Sequence, residues 1–66
     1  MAVKVNGEEK KLESRMTLGQ YLEQQGYDLK RVAAELNGEI LPRSEFQNRE
    51  LSDADTLEIV HFVGGG

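Results

Sequence analysis

The chain has 66 residues and a mass of 7.4 kDa, enough for one small domain. It contains no cysteine, which excludes a disulfide framework, a thiolate zinc site and a thiol nucleophile. The net charge of −4 and the absence of a long basic cluster argue against binding to nucleic acid and favour a partner with a basic docking face. With no apolar run long enough for a membrane and no apolar signal-peptide stretch at the N-terminus, we expect a soluble cytoplasmic protein.

The N-terminal segment has the pattern of a β-hairpin. Residues 3–5 read apolar, charged, apolar, which is the period of a half-buried strand. Asn6-Gly7 follows, and this pair tolerates the positive φ angles of a tight turn. We expect a second short strand around Lys10 to Glu13 with Leu12 directed inward. The alternative is a charged loop at Glu8–Lys11.

Residues Met16–Tyr27 have the pattern of one short helix. Thr17 and Gln20 are spaced as a capping box, and the apolar residues within the segment recur at helical spacing. Gly26 is placed to end the helix in the left-handed conformation. Gly19 lies inside the helix, where glycine is unfavourable by up to about 1 kcal/mol, and therefore indicates close packing at that point.

The second half of the chain predicts a second hairpin and a final strand. We expect a strand at Val32–Leu36, an Asn37-Gly38 turn, a short strand at Ile40-Leu41 that Pro42 ends, and one helical turn at residues 44–47. Phe46 and Leu51 are expected to pack beneath that turn, and Ser52–Asp55 to form a polar turn. The last strand is expected at Thr56–Val63. Its alternation places Leu57, Ile59 and His61 on one face and Glu58, Val60 and Phe62 on the other.

This order of elements predicts an α+β domain in which a mixed sheet of four to five strands wraps around one helix. The single helix carries the chain from the first hairpin to a later strand, which must return across one face of the sheet. The expected fold is the ubiquitin-like β-grasp, with the first and last strands parallel at its centre. We expect this domain to span residues 1–63, followed by a flexible glycine tail at 64–66.

The inventory of reactive side chains argues against catalysis by this chain. His61 is the only histidine, and we expect it to be a partly buried packing residue of the last strand. Asp53 and Asp55 lack the regularly spaced oxygen ligands of a calcium loop, so no metal site is expected. The serines have no neighbouring histidine in a recognisable motif. We therefore expect no catalytic residue and no cofactor bound by the chain itself.

The glycines Gly64, Gly65 and Gly66 form the remaining distinctive feature. They do not separate two domains, so they are not a linker. Without side chains, they are able to enter a channel too narrow for any residue with a Cβ. The alternative interpretation is a frayed tail without a role.

Three segments together resemble the ThiS family, the sulfur carriers of thiamine biosynthesis. They are residues 37–46 (NGEILPRSEF), residues 53–59 (DADTLEI) and residues 63–66 (VGGG), and the resemblance extends over essentially the whole chain. The chain departs from the family at Ala54, where glycine is frequent, and at Phe46, where tryptophan is frequent. Neither departure involves the glycine tail.

The resemblance implies a mechanism centred on Gly66. A ThiF-like adenylating enzyme, using ATP and Mg²⁺, attaches AMP to the carboxylate of Gly66. A sulfur donor linked to a cysteine desulfurase then converts it to a thiocarboxylate, which a ThiG-like thiazole synthase consumes. Gly64 and Gly65 thread the active site of the partner. The chain itself is a co-substrate and not an enzyme, and we expect it to be a monomer when alone.

The alternation of the last strand also predicts a docking surface. Val60 and Phe62 point outward immediately before the tail, as does Glu58, and Val63 follows them. Arg43, Glu58 and the acidic turn at Asp53 and Asp55 are expected to form a polar rim. The alternative is that Phe62 only covers a sheet edge or a neighbouring strand.

Three other functions remain open from the residues alone. The chain is also similar in its expected fold and tail to the sulfur-carrying small subunit of molybdopterin synthase. A ubiquitin-like protein modifier that forms an amide with a lysine is a further alternative. The last is an interaction module whose tail has no role.

Overall fold

A computed structural model describes residues 1–63 of the chain. The strands are β1 Ala2–Val5, β2 Glu8–Lys11, β3 Val32–Leu36, β4 Glu39–Leu41 and β5 Thr56–His61; the helix α1 spans Leu18–Gln24, and 3₁₀ turns span Leu29–Arg31 and Arg43–Glu45. Within the described residues, no helix is long and apolar enough to span a bilayer.

The five strands form one mixed sheet in the order β2-β1-β5-β3-β4. The central pair, β1 and β5, is parallel, and the other neighbours are antiparallel. Helix α1 follows the β1-β2 hairpin and packs its apolar residues against one face of this sheet. The prediction of a ubiquitin-like β-grasp fold with parallel first and last strands is therefore confirmed.

The core lies between the helix and the inner face of the sheet. Leu18 and Leu22 of α1 and Leu57 of β5 are completely buried. Phe46 and Leu51 are also buried, as predicted, and extend this core beyond the helix. The opposite, outer face of the sheet has no covering layer among residues 1–63.

Both Asn-Gly pairs form the tight turns that the sequence predicts. The φ angles are 49° and 85° at Asn6 and Gly7, and 54° and 86° at Asn37 and Gly38. Two successive positive φ angles define the turn whose twist matches that of antiparallel strands. Each turn therefore fixes the register of its hairpin without a bulge.

The position of β2 was predicted incorrectly. The strand spans Glu8–Lys11 and not Lys10 to Glu13, and the alternative of a charged loop there is also wrong. Because the turn contains only two residues, Glu8 pairs directly with Val5. All residues of β2 are exposed, as suits a charged edge strand that resists further pairing. Leu12 is buried as predicted, but it lies just after the strand.

Helix α1 is shorter than the predicted segment because the outer residues are caps. The Thr17 hydroxyl accepts a hydrogen bond from the Gln20 N–H at 3.1 Å, and the Gln20 side chain accepts one from the Thr17 N–H at 2.9 Å, which confirms the capping box. At the other end, Gly26 has φ 86°. The Tyr27 N–H then donates to the Leu22 carbonyl at 3.0 Å, as in a Schellman motif.

Gly19 is a point of close approach, as predicted. A Cβ at this position would lie 2.7 Å from the Gln47 side chain, and the Gly19 N–H donates to the Phe46 carbonyl at 2.7 Å. The helical turn near this contact spans Arg43–Glu45, so it begins one residue earlier and ends two residues earlier than predicted. Strand β4 also begins one residue earlier, at Glu39.

Candidate functional site

The candidate site is the C-terminal part of β5 and the outer face of the sheet around it. Strand β5 is held in the sheet by backbone pairing and by an asparagine side chain. Strand β1 pairs with β5 only as far as Val5 and Leu57. Beyond that point the Asn6 side chain continues the pairing, because its Oδ1 accepts from the Ile59 N–H at 2.7 Å and its Nδ2 donates to the Ile59 carbonyl at 3.3 Å. One amide side chain thus takes the place of a further strand residue.

The first residue of β5 is held from the other side by Asn37. Its Oδ1 accepts from the Thr56 N–H at 2.9 Å, while its backbone N–H donates to the Thr56 carbonyl at 2.8 Å. The Nδ2 of the same side chain donates to Asp55 Oδ1 at 2.9 Å. The asparagines of the two turns therefore bracket β5 near its start.

Asp55 completes this arrangement and is not a solvated rim residue, contrary to the prediction. It is 6% exposed, and its Oδ2 accepts from the Ser52 N–H at 2.7 Å and lies 3.8 Å from Arg49 Nη2. The carboxylate is buried because two hydrogen-bond donors and the nearby guanidinium of Arg49 compensate for its lost hydration. Ala54, beside it, has φ 70°, a conformation that explains why glycine suits this position.

The end of β5 is held by fewer contacts. The strand ends at His61 and not at Val63, because β3 begins at Val32, the residue paired with His61. One further backbone bond follows, from the Phe62 N–H to the Arg31 carbonyl at 2.7 Å. Val63 is 85% exposed.

The prediction that His61 is a partly buried packing residue is wrong. The side chain is exposed, although Val32, which lies opposite it on β3, is a buried core residue. Its ring meets the Tyr27 ring edge-on, with centroids 5.5 Å apart. Within residues 1–63 no cluster of three or more His, Asp or Glu residues is arranged to hold a metal ion.

The outward direction of Val60 and Phe62 is confirmed, since their exposed fractions are 57% and 54%. Glu58 lies on the same outer face, opposite Glu35 of β3, and Val60 lies opposite Ala33. Ile40 of β4 lies opposite Glu35 and is 78% exposed. We name the exposed apolar side chains of this region the outer patch: Ala33, Ile40, Val60, Phe62 and Val63.

Sequence reasoning missed Ala33 and Ile40, although the signal was present. A two-residue turn at Asn37-Gly38 requires that Leu36 pair with Glu39 and Glu35 with Ile40. Because Leu36 is buried, Glu35 and Ile40 must face outward. The same parity places Ala33 on the outer face.

The polar residues predicted around this patch are divided between the two ends of the sheet. Arg43 is exposed and follows β4 at the end of the sheet where β5 also ends. Asp53 is exposed but precedes the start of β5, where its Oδ1 accepts from the Ala2 N–H at 2.8 Å. Of these polar residues, Glu58 is thus placed beside the outer patch, and Arg43 lies at the same end of the sheet. The predictions for Gly64, Gly65 and Gly66 lie outside the described residues.

Comparison with known proteins gives a consistent result over the whole length of the chain. The sequence model of the ThiS family matches residues 3–66. The sulfur carrier protein ThiS of Thermus thermophilus is 42% identical over 62 residues, covering 94% of this chain and 95% of that protein. The crystal structure of a thiamine biosynthesis protein (ThiS) from Geobacter metallireducens superimposes with a TM-score of 0.82 at 30% identity, covering 100% of both chains.

A second kind of relative is much longer than this chain. A thiazole synthase of Paramagnetospirillum magneticum is 42% identical over 66 residues, which cover all of this chain but only 20% of that protein. A thiazole synthase of Magnetococcus marinus is 35% identical with the same coverage. The family match, the full-length carrier relative and the superimposed structure agree, and the chain belongs to the ThiS family.

Proposed function

We propose that this protein carries sulfur for thiazole formation in thiamine biosynthesis, as a thiocarboxylate on the terminal carboxyl group of Gly66. The observation that carries the proposal is the family match, which continues through residue 66 and so includes all of the glycines. In this function the chain is a carrier, and its partner enzymes supply the catalytic groups.

The proposed chemistry begins with activation of the Gly66 carboxylate. An α-carboxyl group has an ordinary pKa of about 3.5, so it is an ionised oxygen nucleophile at neutral pH. Its oxygen attacks the α-phosphorus of ATP, pyrophosphate leaves, and an acyl adenylate forms. The terminal sulfur of a persulfide then attacks the carbonyl carbon, the new C–S bond replaces the C–O bond to phosphate, and AMP leaves. A thiol attacks the donor's sulfur in the resulting acyl disulfide, which forms a new disulfide with the donor and releases the thiocarboxylate. ATP and Mg²⁺ are held by a ThiF-like adenylating enzyme, and the sulfur comes from a donor linked to a cysteine desulfurase.

The outer patch supports the proposal because it lies directly before the glycines. Val60, Phe62 and Val63 are large apolar groups left exposed in a domain of only 66 residues. Such groups at a sheet surface favour contact with another protein. We assign them, together with Glu58 and Arg43, to partner docking. Gly64 and Gly65 then enter the active site of the partner, where the lack of a Cβ permits a narrow channel.

The thiazole synthase relatives support the identity of the consuming partner. Two proteins of that name contain a segment similar to the whole of this chain within a much longer polypeptide. We propose that this chain serves a ThiG-like thiazole synthase as a separate protein, and that it is a monomer when no partner is bound.

Adenylation by the cognate adenylating enzyme tests the role of the glycines. We expect release of pyrophosphate from ATP with the wild-type chain, and none when Gly66 is deleted or when Gly65→Phe obstructs the channel. Asn48→Phe is the matched control, since it adds the same ring at an exposed position outside β5 and the outer patch. Unchanged pyrophosphate release after deletion of Gly66 would contradict the proposal. Recovery of the chain in amide linkage to other proteins would instead indicate a modifier.

A further inference from the structure

The outer face of the sheet contains two glutamates that face each other and form no ion pair with a cation among residues 1–63. Glu35 and Glu58 are directly paired across β3 and β5, in a register whose Cα atoms are about 5.5 Å apart. Like charges in this relation destabilise a sheet. Among residues 1–63 neither carboxylate forms an ion pair. Lys4 on the neighbouring strand lies opposite Thr56, and so diagonally across from Glu58, but it forms no ion pair with Glu58.

A shallow hollow lies beside these carboxylates. It has a volume of about 120 Å³, and its lining includes Ala33, Ile40 and Val60 as well as the two glutamates. Ala33 lies opposite Val60, and Ile40 lies opposite Glu35. The small Ala33 side chain therefore leaves a depression between the larger Ile40 and Val60 side chains. The hollow is thus lined by apolar side chains and by two acidic residues.

This combination matches the chemistry of an arginine side chain. The three methylene groups of arginine pack on apolar surface while its charged end stays with polar groups. Its planar guanidinium has donors that are able to reach two carboxylates at once, whereas a lysine ammonium acts as a point charge. Arginine is also enriched at protein interfaces, where lysine is depleted.

We propose that the hollow between Ile40 and Val60 receives an arginine side chain of the thiazole synthase, whose guanidinium bonds to Glu35 and Glu58. This inference rests on the proposed function and specifies how the outer patch recognises its partner. The synthase is the partner named because its name is borne by the longer relatives that contain a segment like this chain. In those proteins the carrier-like segment is tethered, whereas a separate chain must rely on surface contacts to reach its partner.

The test compares the affinity of glutamine variants for the cognate thiazole synthase, measured by calorimetry at low and at high salt. We expect Glu35→Gln with Glu58→Gln to weaken binding by about tenfold or more, as for the loss of charged hydrogen bonds. The stability of this variant in urea should be unchanged or higher, because the repulsion between the carboxylates is removed. Glu13→Gln with Glu45→Gln is the matched control, since it changes the net charge equally at two exposed positions outside the hollow.

A second variant separates the hollow from the charge. Ala33→Leu keeps every charge but fills the depression, so we expect it also to weaken binding to the synthase, while its outward position leaves the core intact. The inference is wrong if the glutamine variants bind as well as wild type, if the control pair weakens binding equally, or if the wild-type chain does not bind the synthase. It is also wrong if only the affinity for the adenylating enzyme falls. Intact mass distinguishes failure of this inference from failure of the proposed function. If the chain forms a thiocarboxylate but the substitutions leave its affinity for the synthase unchanged, the proposed function stands and only the arginine site is wrong.

Discussion

The two ends of β5 are held in very different ways. At its start, Thr56 is bonded by Asn37 and lies beside the buried Asp55, and Leu57 is completely buried. At its end, pairing continues only on the β3 side, through one bond from the Phe62 N–H to the Arg31 carbonyl. Val60, Phe62 and Val63 are exposed there. The same short strand thus belongs to the core at one end and to the surface at the other.

This difference separates the residues that stabilise the domain from those that are available for contact with a partner. A chain of this size buries only about 60% of its unfolded surface and has little stability in reserve. Stabilising contacts are concentrated where β5 enters the sheet, and the residues next to the glycines contribute little to the core. Substitutions near the start of β5 should therefore act on folding, and those near its end on partner binding.

The largest expected effect on stability is that of Leu57→Ala. Removal of a completely buried leucine leaves a cavity in the core and should lower the free energy of unfolding by about 3 kcal/mol. Val60→Ala truncates the same strand on its exposed face and should change stability by less than about 0.5 kcal/mol. Urea unfolding followed by circular dichroism measures both. Equal losses would show that the contrast between the two ends is wrong.

Asp55→Ala should have the next largest effect. It leaves the Ser52 N–H and the Asn37 side-chain amide without their acceptor in a partly buried site, at an expected cost of about 2 kcal/mol. Asp53→Ala is the control, because this neighbouring carboxylate is exposed and accepts only one bond, from the Ala2 N–H. The same urea measurement compares them, and a greater loss for Asp53→Ala would refute the role given to Asp55.

Asn6→Ala and Asn6→Gly separate two contributions of one residue. Both remove the amide that bonds to Ile59, but only alanine is disfavoured by the φ angle of 49°. We expect alanine to cost about 2 kcal/mol and glycine about 1 kcal/mol. Identical losses would show that the turn conformation does not limit this position.

The smallest effect on stability is expected for Val60→Asp and Phe62→Asp. Both side chains are more than half exposed, so the midpoint of thermal unfolding should hardly change. Binding to the partner enzymes should fall by about tenfold or more if these residues are central to docking. A large loss of thermal stability would mean that they are part of the core, and unchanged binding would remove them from the interface.

Much of this fold was predictable because its signals are local. The capping box at Thr17 and Gln20, the left-handed Gly26 and both Asn-Gly turns each follow from neighbouring residues. Alternation along the last strand also placed Val60 and Phe62 on the outer face correctly. The error in β2 arose because its charged residues show no apolar alternation, and only the turn length determines where its pairing begins.

The contacts that were not predicted join distant parts of the sequence. The bonds from Asn6 to Ile59 and from Asn37 to Asp55 depend on the three-dimensional arrangement of strands that are far apart in the chain. The burial of Asp55 has the same origin, since its partners Asn37 and Arg49 come from other parts of the chain. Only part of the outer patch was predicted from the sequence. Ala33 and Ile40 lie beside Val60 only because three strands pair with one another, β4 with β3 and β3 with β5.

The most direct test of the central claim is the intact mass of the full chain after incubation with the cognate adenylating enzyme, ATP and a sulfur source. The proposed function predicts that one oxygen is replaced by one sulfur, and that fragmentation places the sulfur on Gly66. The Gly66 deletion should show no such change. A mass that stays constant while the enzyme is active on ATP, or a mature chain in which Gly66 bears no free carboxyl group, would contradict the claim.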